Sequence, residues 1–95
     1  MKYAIHWLMG EPFMAQVGSA CGMNVCHAPE STHGETKDIA LERAIAHFDE
    51  LKNRSLAAVE GSAGKAYLAN QILEAADAIR TAGKLHALRA SGFVK

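Results

Sequence analysis

Apolar and polar residues alternate over the first nine positions, which is the pattern of a strand with one buried face. A period of two with aromatic and β-branched side chains predicts a strand over about residues 2–9. A turn at Gly10 and Pro12 and a second alternating run predict another strand over about 13–20, and therefore a β-hairpin. An isolated hairpin is only marginally stable, so one face must pack on another element. That face carries Tyr3, Ile5 and Trp7.

Residues 18–35 form an irregular stretch in which neither a helical nor a strand period survives. Glycine, proline and small polar residues dominate it, with one short extended piece expected around 23–25. Loops longer than about 12–15 residues are uncommon unless they are functional or held in place by something. The sequence therefore predicts a long loop here and makes it the first region in which to look for function.

Apolar residues return at spacings of three and four from residue 37 onward, which predicts amphipathic helices. Thr36 is a suitable N-cap for a helix over about 37–60, and Ser62 for a second over about 63–82. A shorter third helix over about 84–90 completes a set of two to three packed helices. The expected buried positions are Leu41, Ala44, Ile45, Phe48 and Leu51 in the first helix, Leu68, Ile72, Ala75, Ala76 and Ile79 in the second, and Leu85 and Leu88 in the third.

The whole chain is expected to be one small α+β domain over residues 1–95. Its 95 residues, 49% hydrophobic and 21% charged, are ordinary for a globular protein. The N-terminus is too short and too polar for a signal peptide, and no run approaches the ~18 apolar residues of a membrane span. We therefore expect a cytoplasmic protein without a membrane segment, in which the two cysteines are thiols.

Four side chains that zinc favours lie within thirteen residues of the irregular stretch. They are Cys21, Cys26, His27 and His33. Zinc binding could order a loop that has no core of its own. The spacing matches common zinc motifs poorly, because the adjacent Cys26 and His27 would point to opposite sides of an extended chain. The alternative is a pair of idle thiols with surface histidines, and Met23 between the cysteines leaves copper(I) as a further option.

The charge pattern gives little support to nucleic-acid binding. Ten basic residues balance ten acidic ones, whereas a protein that binds phosphate backbones usually carries a basic excess. The C-terminal third is mildly basic, which leaves weak nucleic-acid binding as an alternative. The residues concerned are Arg80, Lys84, Arg89 and Lys95.

No catalytic motif is recognisable, so the chain is expected not to be an enzyme. The segment 61–66 resembles a phosphate loop but lacks the spacing and the preceding strand of a Walker A motif. A protein-binding module remains, acting stoichiometrically on a larger partner, as accessory proteins, antitoxins and phage or mobile-element inhibitors do. The expected contact residues are Trp7, Met9, Phe13, Met14 and Met23. A homodimer through the alanine-rich second helix, and a small zinc-ordered adaptor or regulator, stay open as alternatives.

Overall fold

A computed structural model describes residues 2–18 and 25–92 and confirms the α+β class. An N-terminal antiparallel sheet of three strands packs on a pair of long helices. The elements in chain order are β1 (Tyr3–Leu8), β2 (Glu11–Gln16), β3 (Val25–His27), a short 3-10 helix (Glu30–Thr32), α1 (Lys37–Gly61) and α2 (Leu68–Ala90). No helix in the described part of the chain is both long and apolar enough to cross a membrane.

The hairpin is present, but its turn is tighter than the sequence predicted. Leu8 pairs directly with Glu11, so the loop consists of Met9 and Gly10 alone, with φ values of 52° and 82°. Two successive positive φ values are the signature of a type I′ turn, whose twist matches that of the flanking strands. The second strand is therefore Glu11–Gln16 rather than 13–20. Pro12 is tolerated within it because β2 is an edge strand.

The stretch predicted as a long loop is partly a third strand. β3 pairs antiparallel with β1, which makes β1 the central strand in the order β2-β1-β3. The chain stays on this edge beyond β3, because the Ala28 N–H donates to the Ile5 carbonyl and Gly34 exchanges two hydrogen bonds with Tyr3. The short extended piece expected around 23–25 thus falls just before or within a real strand. Residues 19–24 lie outside the described part.

The first helix agrees with its prediction at both ends. α1 runs from Lys37 to Gly61, and the Ile39 N–H donates to the Thr36 hydroxyl oxygen at 3.2 Å, as an N-cap requires. Ser62 does not cap the second helix. It follows α1, and its hydroxyl donates to the Val59 carbonyl at 3.1 Å.

The second and third predicted helices are one continuous helix, α2, from Leu68 to Ala90. Gly83 lies inside it, although glycine costs about 1 kcal/mol relative to alanine in a helix interior. Packing on both sides of the glycine outweighs that cost, because Ala82 and Leu85 are both buried. The predicted break at this glycine is therefore wrong.

The core lies where the sheet rests on the two helices. The expected sheet face is confirmed for Ile5, which is fully buried, and for Trp7, whose ring meets Phe48 edge-on at 5.9 Å. The buried cluster comprises Ile5, Ala28, Leu41, Ala44, Ile45 and Leu85, with Trp7, Met14, Phe48 and Leu88 packed against it.

The buried stripe of α2 differs from its prediction by about one residue. The structure buries Ala75, Ala78, Ala82 and Leu85, whereas Ile72 and Ile79 are about half exposed. One residue corresponds to 100° of rotation about a helix axis, so the two isoleucines lie beside the contact with α1 rather than in it.

Candidate functional site

Three histidines from separate parts of the chain meet beside the sheet; we call His6, His27 and His33 the histidine cluster. The strand register places His6 of β1 between Phe13 of β2 and His27 of β3. The His6 ring stacks on Phe13 with centroids 5.4 Å apart and meets the His27 ring edge-on at 5.9 Å. His33, which follows the 3-10 helix, lies 5.3 Å from His27 by ring centroid.

Each ring of the histidine cluster has one nitrogen bonded to a backbone carbonyl. His6 Nδ1 donates to the Ala4 oxygen at 2.9 Å. His27 Nδ1 and His33 Nε2 both donate to the Ala28 oxygen, each at 3.1 Å. His6 and His33 are buried, whereas His27 is exposed. The cluster thus has a buried interior and one ring at the surface.

The remaining nitrogen of His6 is the unusual atom of this cluster. Nε2 is fully buried and has no hydrogen-bond partner among the residues that the structure describes. A buried acceptor left unpaired costs about 1–3 kcal/mol, so native structures rarely retain one without a reason. Strict alternation places His6 on the strand face opposite Tyr3, Ile5 and Trp7, where solvent is expected, so the sequence pattern does not mark it as buried.

The predicted metal ligands do not all come together. Cys26 is exposed and, as neighbours on a strand must, lies on the opposite side of β3 from His27. Cys26 pairs with Trp7 and lines a cavity of about 310 Å³ that is also bordered by Arg80 and Lys84. Cys21 and Met23 lie outside the described residues.

Within the described ranges, no group of three or more His, Cys, Asp or Glu side chains is placed to hold a metal ion as it stands. Zinc binding by Cys21, Cys26, His27 and His33 stays a prediction, as does copper(I) binding.

The predicted partner-contact residues do not form one surface. Trp7 and Met14 pack against the core, and Phe13 is half-buried against His6 on the other side of the sheet. Met9 alone is freely accessible, at 90% exposed in the hairpin turn. Met23 falls in the segment that is not described.

Three basic residues of the C-terminal third that the sequence singled out, Arg80, Lys84 and Arg89, each lie beside a carboxylate. The nitrogen-to-oxygen distances are 3.7 Å for Arg80–Asp77, 3.3 Å for Lys84–Glu11 and 3.3 Å for Arg89–Glu42. Lys84 also donates to the Gly10 carbonyl at 2.7 Å. These pairings reduce the positive charge available to a phosphate backbone, and Lys95 lies outside the described residues. Nucleic-acid binding stays a prediction.

Several apolar side chains of α2 are exposed along one side of the helix. Ile72 is 49% exposed, Leu73 68% and Ile79 46%, and Ala76 between them is exposed as well. Positions 72, 76 and 79 recur at spacings of four and three, so they share one side of the helix. We call Ile72, Leu73, Ala76 and Ile79 the α2 outer stripe. The apolar spacing of α2 predicted a buried face. Some of the residues that produce this spacing instead form the exposed α2 outer stripe.

The exposed surface area and the radius of gyration of the chain both exceed those expected of a compact monomer. The chain exposes 6037 Å², whereas a compact monomer of its mass is expected to expose about 5,300 Å². Its Cα radius of gyration is 14.7 Å, against about 12.4 Å for a compact domain of this length.

Comparison of the chain with protein-family models, with curated proteins and with solved structures finds no match. Function must therefore be argued from the histidine cluster and the α2 outer stripe themselves.

Proposed function

We propose that this protein is a non-enzymatic protein-binding module that acts stoichiometrically on a larger partner, and that it contacts that partner through the α2 outer stripe. The observation that carries the proposal is the exposure of Ile72, Leu73 and Ile79 on one helix. Monomeric soluble proteins rarely expose contiguous apolar patches larger than a few hundred Å², and larger patches with a polar rim mark interaction surfaces.

The composition of the surface around the stripe supports this assignment. Asp77 and Arg80, on the same helix, are mostly exposed and pair with each other at 3.7 Å. They provide a polar rim beside an aliphatic centre, which is the usual anatomy of a protein interface. Burial of apolar area contributes about 25 cal/mol per Å², so even partial burial of three aliphatic side chains favours association by several kcal/mol before the costs of binding are subtracted.

A paired substitution on the outer stripe tests the proposal. Ile72→Ser with Ile79→Ser removes the two aliphatic side chains without introducing charge, and serine and isoleucine have similar helix propensities. The matched control is Val17→Ser, an exposed aliphatic residue at the end of β2. We expect both variants to retain the wild-type circular dichroism spectrum and a cooperative thermal transition.

The binding measurement uses a photo-crosslinking amino acid at Leu73, with Glu30 on the 3-10 helix as the control position. In cells of the native host, the Leu73 probe should give one discrete heterologous adduct that the Glu30 probe does not give. With the purified partner, calorimetry should show one-to-one binding by wild type and by Val17→Ser. The Ile72→Ser/Ile79→Ser variant should bind at least about tenfold more weakly, since losing two anchors costs more than 1.4 kcal/mol.

Two outcomes would contradict the proposal. Equal partner affinity of the wild type and the doubly substituted protein would mean that the α2 outer stripe is not the contact. Adducts at Leu73 that join only two copies of this chain, together with a dimeric mass by light scattering, would assign the stripe to self-association instead.

A further inference from the structure

A cavity of about 310 Å³ lies between the sheet and α2, and we call it the hairpin cavity. Trp7 and Cys26 line it from the sheet, and Arg80 and Lys84 line it from the helix. Binding sites for small molecules are concave, have volumes of about 300–1,000 Å³ and combine apolar walls with a few polar groups that fix the ligand's orientation. The hairpin cavity has the volume and the kind of lining that such sites have.

The sheet side of the hairpin cavity offers an aromatic wall. Trp7 and Cys26 are directly opposite each other in the register of β1 and β3, so their side chains share one face of the sheet. The Trp7 ring is held from behind by Phe48, which it meets edge-on at 5.9 Å, and it is only half-buried. An aryl or alkyl group that enters the cavity would therefore bury apolar surface against Trp7, which favours binding.

One end of the hairpin cavity is closed by Lys84. Its Nζ donates to the Gly10 carbonyl at 2.7 Å and lies 3.3 Å from a carboxylate oxygen of Glu11, so it joins α2 to the hairpin turn. Gly10 lines the same cavity. Because this bond holds the ammonium group in place, a positive charge stands at a defined position beside the aromatic wall.

Arg80 brings a second positive charge to the hairpin cavity, with N–H donors that a ligand can use. Within residues 2–18 and 25–92 it pairs only with Asp77, at 3.7 Å, which is too long for a hydrogen bond. Both side chains of this pair are mostly exposed, and such a pair contributes little to stability, so Arg80 can turn to a ligand at small cost. A guanidinium group binds a carboxylate through two parallel N–H donors.

We propose that the hairpin cavity binds a small organic carboxylate. The aryl or alkyl body of the ligand packs on Trp7, its carboxylate accepts hydrogen bonds from Arg80, and Lys84 adds electrostatic attraction. Asp77 is the single carboxylate among the described lining residues, against the two cations, so the lining favours an anion over a cation. This ligand is distinct from the protein partner proposed for the α2 outer stripe.

The test uses the fluorescence of Trp7, which is the only tryptophan of the chain and lines the cavity. Purified protein is titrated with 4-phenylbutyrate and, as the matched neutral compound, with 4-phenylbutyramide. We expect 4-phenylbutyrate to change the Trp7 emission saturably, with a dissociation constant in the millimolar range or below. The amide should bind at least about fivefold more weakly, because it lacks the charge that strengthens a hydrogen bond to Arg80. Added salt should weaken the binding of the carboxylate more than that of the amide.

Two variants test the two sides of the cavity separately. Arg80→Gln removes the charge from an exposed helical position, and glutamine has nearly the helix propensity of arginine. It should weaken 4-phenylbutyrate about fivefold and leave the affinity for the amide unchanged. The matched control is Arg54→Gln, an exposed arginine of α1 that pairs with Glu50, which should bind both compounds as wild type does. Cys26→Leu enlarges a side chain of the sheet wall and should weaken both compounds.

The proposal is overturned if wild type binds the carboxylate and the amide equally, or if Arg80→Gln binds 4-phenylbutyrate as tightly as wild type does. It is also overturned if the Trp7 emission does not respond to 4-phenylbutyrate up to about 10 mM, a concentration that corresponds to very weak binding. Arg80 is exposed, so its variant stays informative even if Cys26→Leu fails to fold. The titration contains no protein partner, so its failure would leave the crosslinking test at Leu73 unaffected.

Discussion

Gly34 lies at a position where the structure leaves no space for a larger residue. It is buried where the chain leaves the sheet edge and enters α1, and its N–H and carbonyl bond to Tyr3 at 3.0 Å and 2.7 Å. A Cβ atom there would lie 2.7 Å from the backbone nitrogen of Ala40 and 2.7 Å from Cγ2 of Ile39. Ordinary van der Waals contact begins near 3.4 Å. Gly34→Ala therefore creates a clash with backbone rather than with a flexible side-chain end.

The size of the effect follows from what would have to move. The Ala40 nitrogen is fixed in the first turn of α1 by its bond to the Thr36 carbonyl at 3.0 Å. Relief therefore requires α1 to shift away from the sheet edge or the bonds between Gly34 and Tyr3 to lengthen. Overpacking of this kind costs about 1–3 kcal/mol. For a domain of this size we expect the thermal midpoint of Gly34→Ala to fall by about 4–24 °C.

A second glycine provides a control with the opposite sign. Gly83 lies inside α2, where an added Cβ meets no described atom within 4 Å outside the backbone of its own helix. Gly83→Ala should gain about 0.8–1.0 kcal/mol of helix propensity and raise the midpoint by about 4–8 °C. Differential scanning calorimetry of both variants tests the pair. A Gly34→Ala midpoint equal to or above that of wild type would show that the chain does not approach α1 as closely as described.

Three further substitutions or reagents test other parts of the fold. Leu85→Ala should lower the free energy of unfolding by about 2–5 kcal/mol in a urea titration, because Leu85 is fully buried between the helices and the sheet; a loss below 1 kcal/mol would place it outside the core. Met9→Asn should raise the free energy of unfolding by up to about 1 kcal/mol, because Met9 has a φ of 52°, which asparagine tolerates better. A thermal midpoint below that of wild type would argue against the two-residue turn. In a Cys21→Ser background, Cys26 should react with a thiol reagent as fast in native protein as in urea, because it is exposed; strong native protection would contradict its placement.

The parts of the fold that the sequence predicts well depend on local interactions. Thr36 caps α1 because its hydroxyl lies within one turn of the N–H that it serves, and β1 follows its alternation because neighbouring residues set it. The turn was misplaced for a local reason of another kind. Gly10 and Pro12 both favour turns, but the turn in the structure consists of Met9 and Gly10. Methionine is not a residue that favours turns, so the sequence does not predict one at Met9.

The parts that the sequence does not predict depend on contacts between distant segments. β3 is three residues long and exists because β1 offers it a partner, so its own composition carries little signal. The predicted buried stripe of α2 is displaced by about one residue because apolar residues occupy two adjoining faces of the helix. α1 covers only one of those faces. His6 is buried beside Phe13 of β2 and His27 of β3, and neither is its neighbour in sequence.

The two candidate sites share no residue, and this has a consequence that can be measured. The histidine cluster belongs to the sheet and the segment up to His33. The α2 outer stripe lies on a helix that contacts the sheet and its hairpin turn through Lys84, Leu85 and Leu88. Substitutions that lack common contacts have additive effects on free energy. His6→Phe should therefore leave partner affinity unchanged, and the effects of His6→Phe and of Ile72→Ser/Ile79→Ser on the free energy of unfolding should add. If His6→Phe altered partner affinity more than about threefold, the sheet and α2 would have to be coupled, and Leu85 and Leu88 would be the first residues to examine for that coupling.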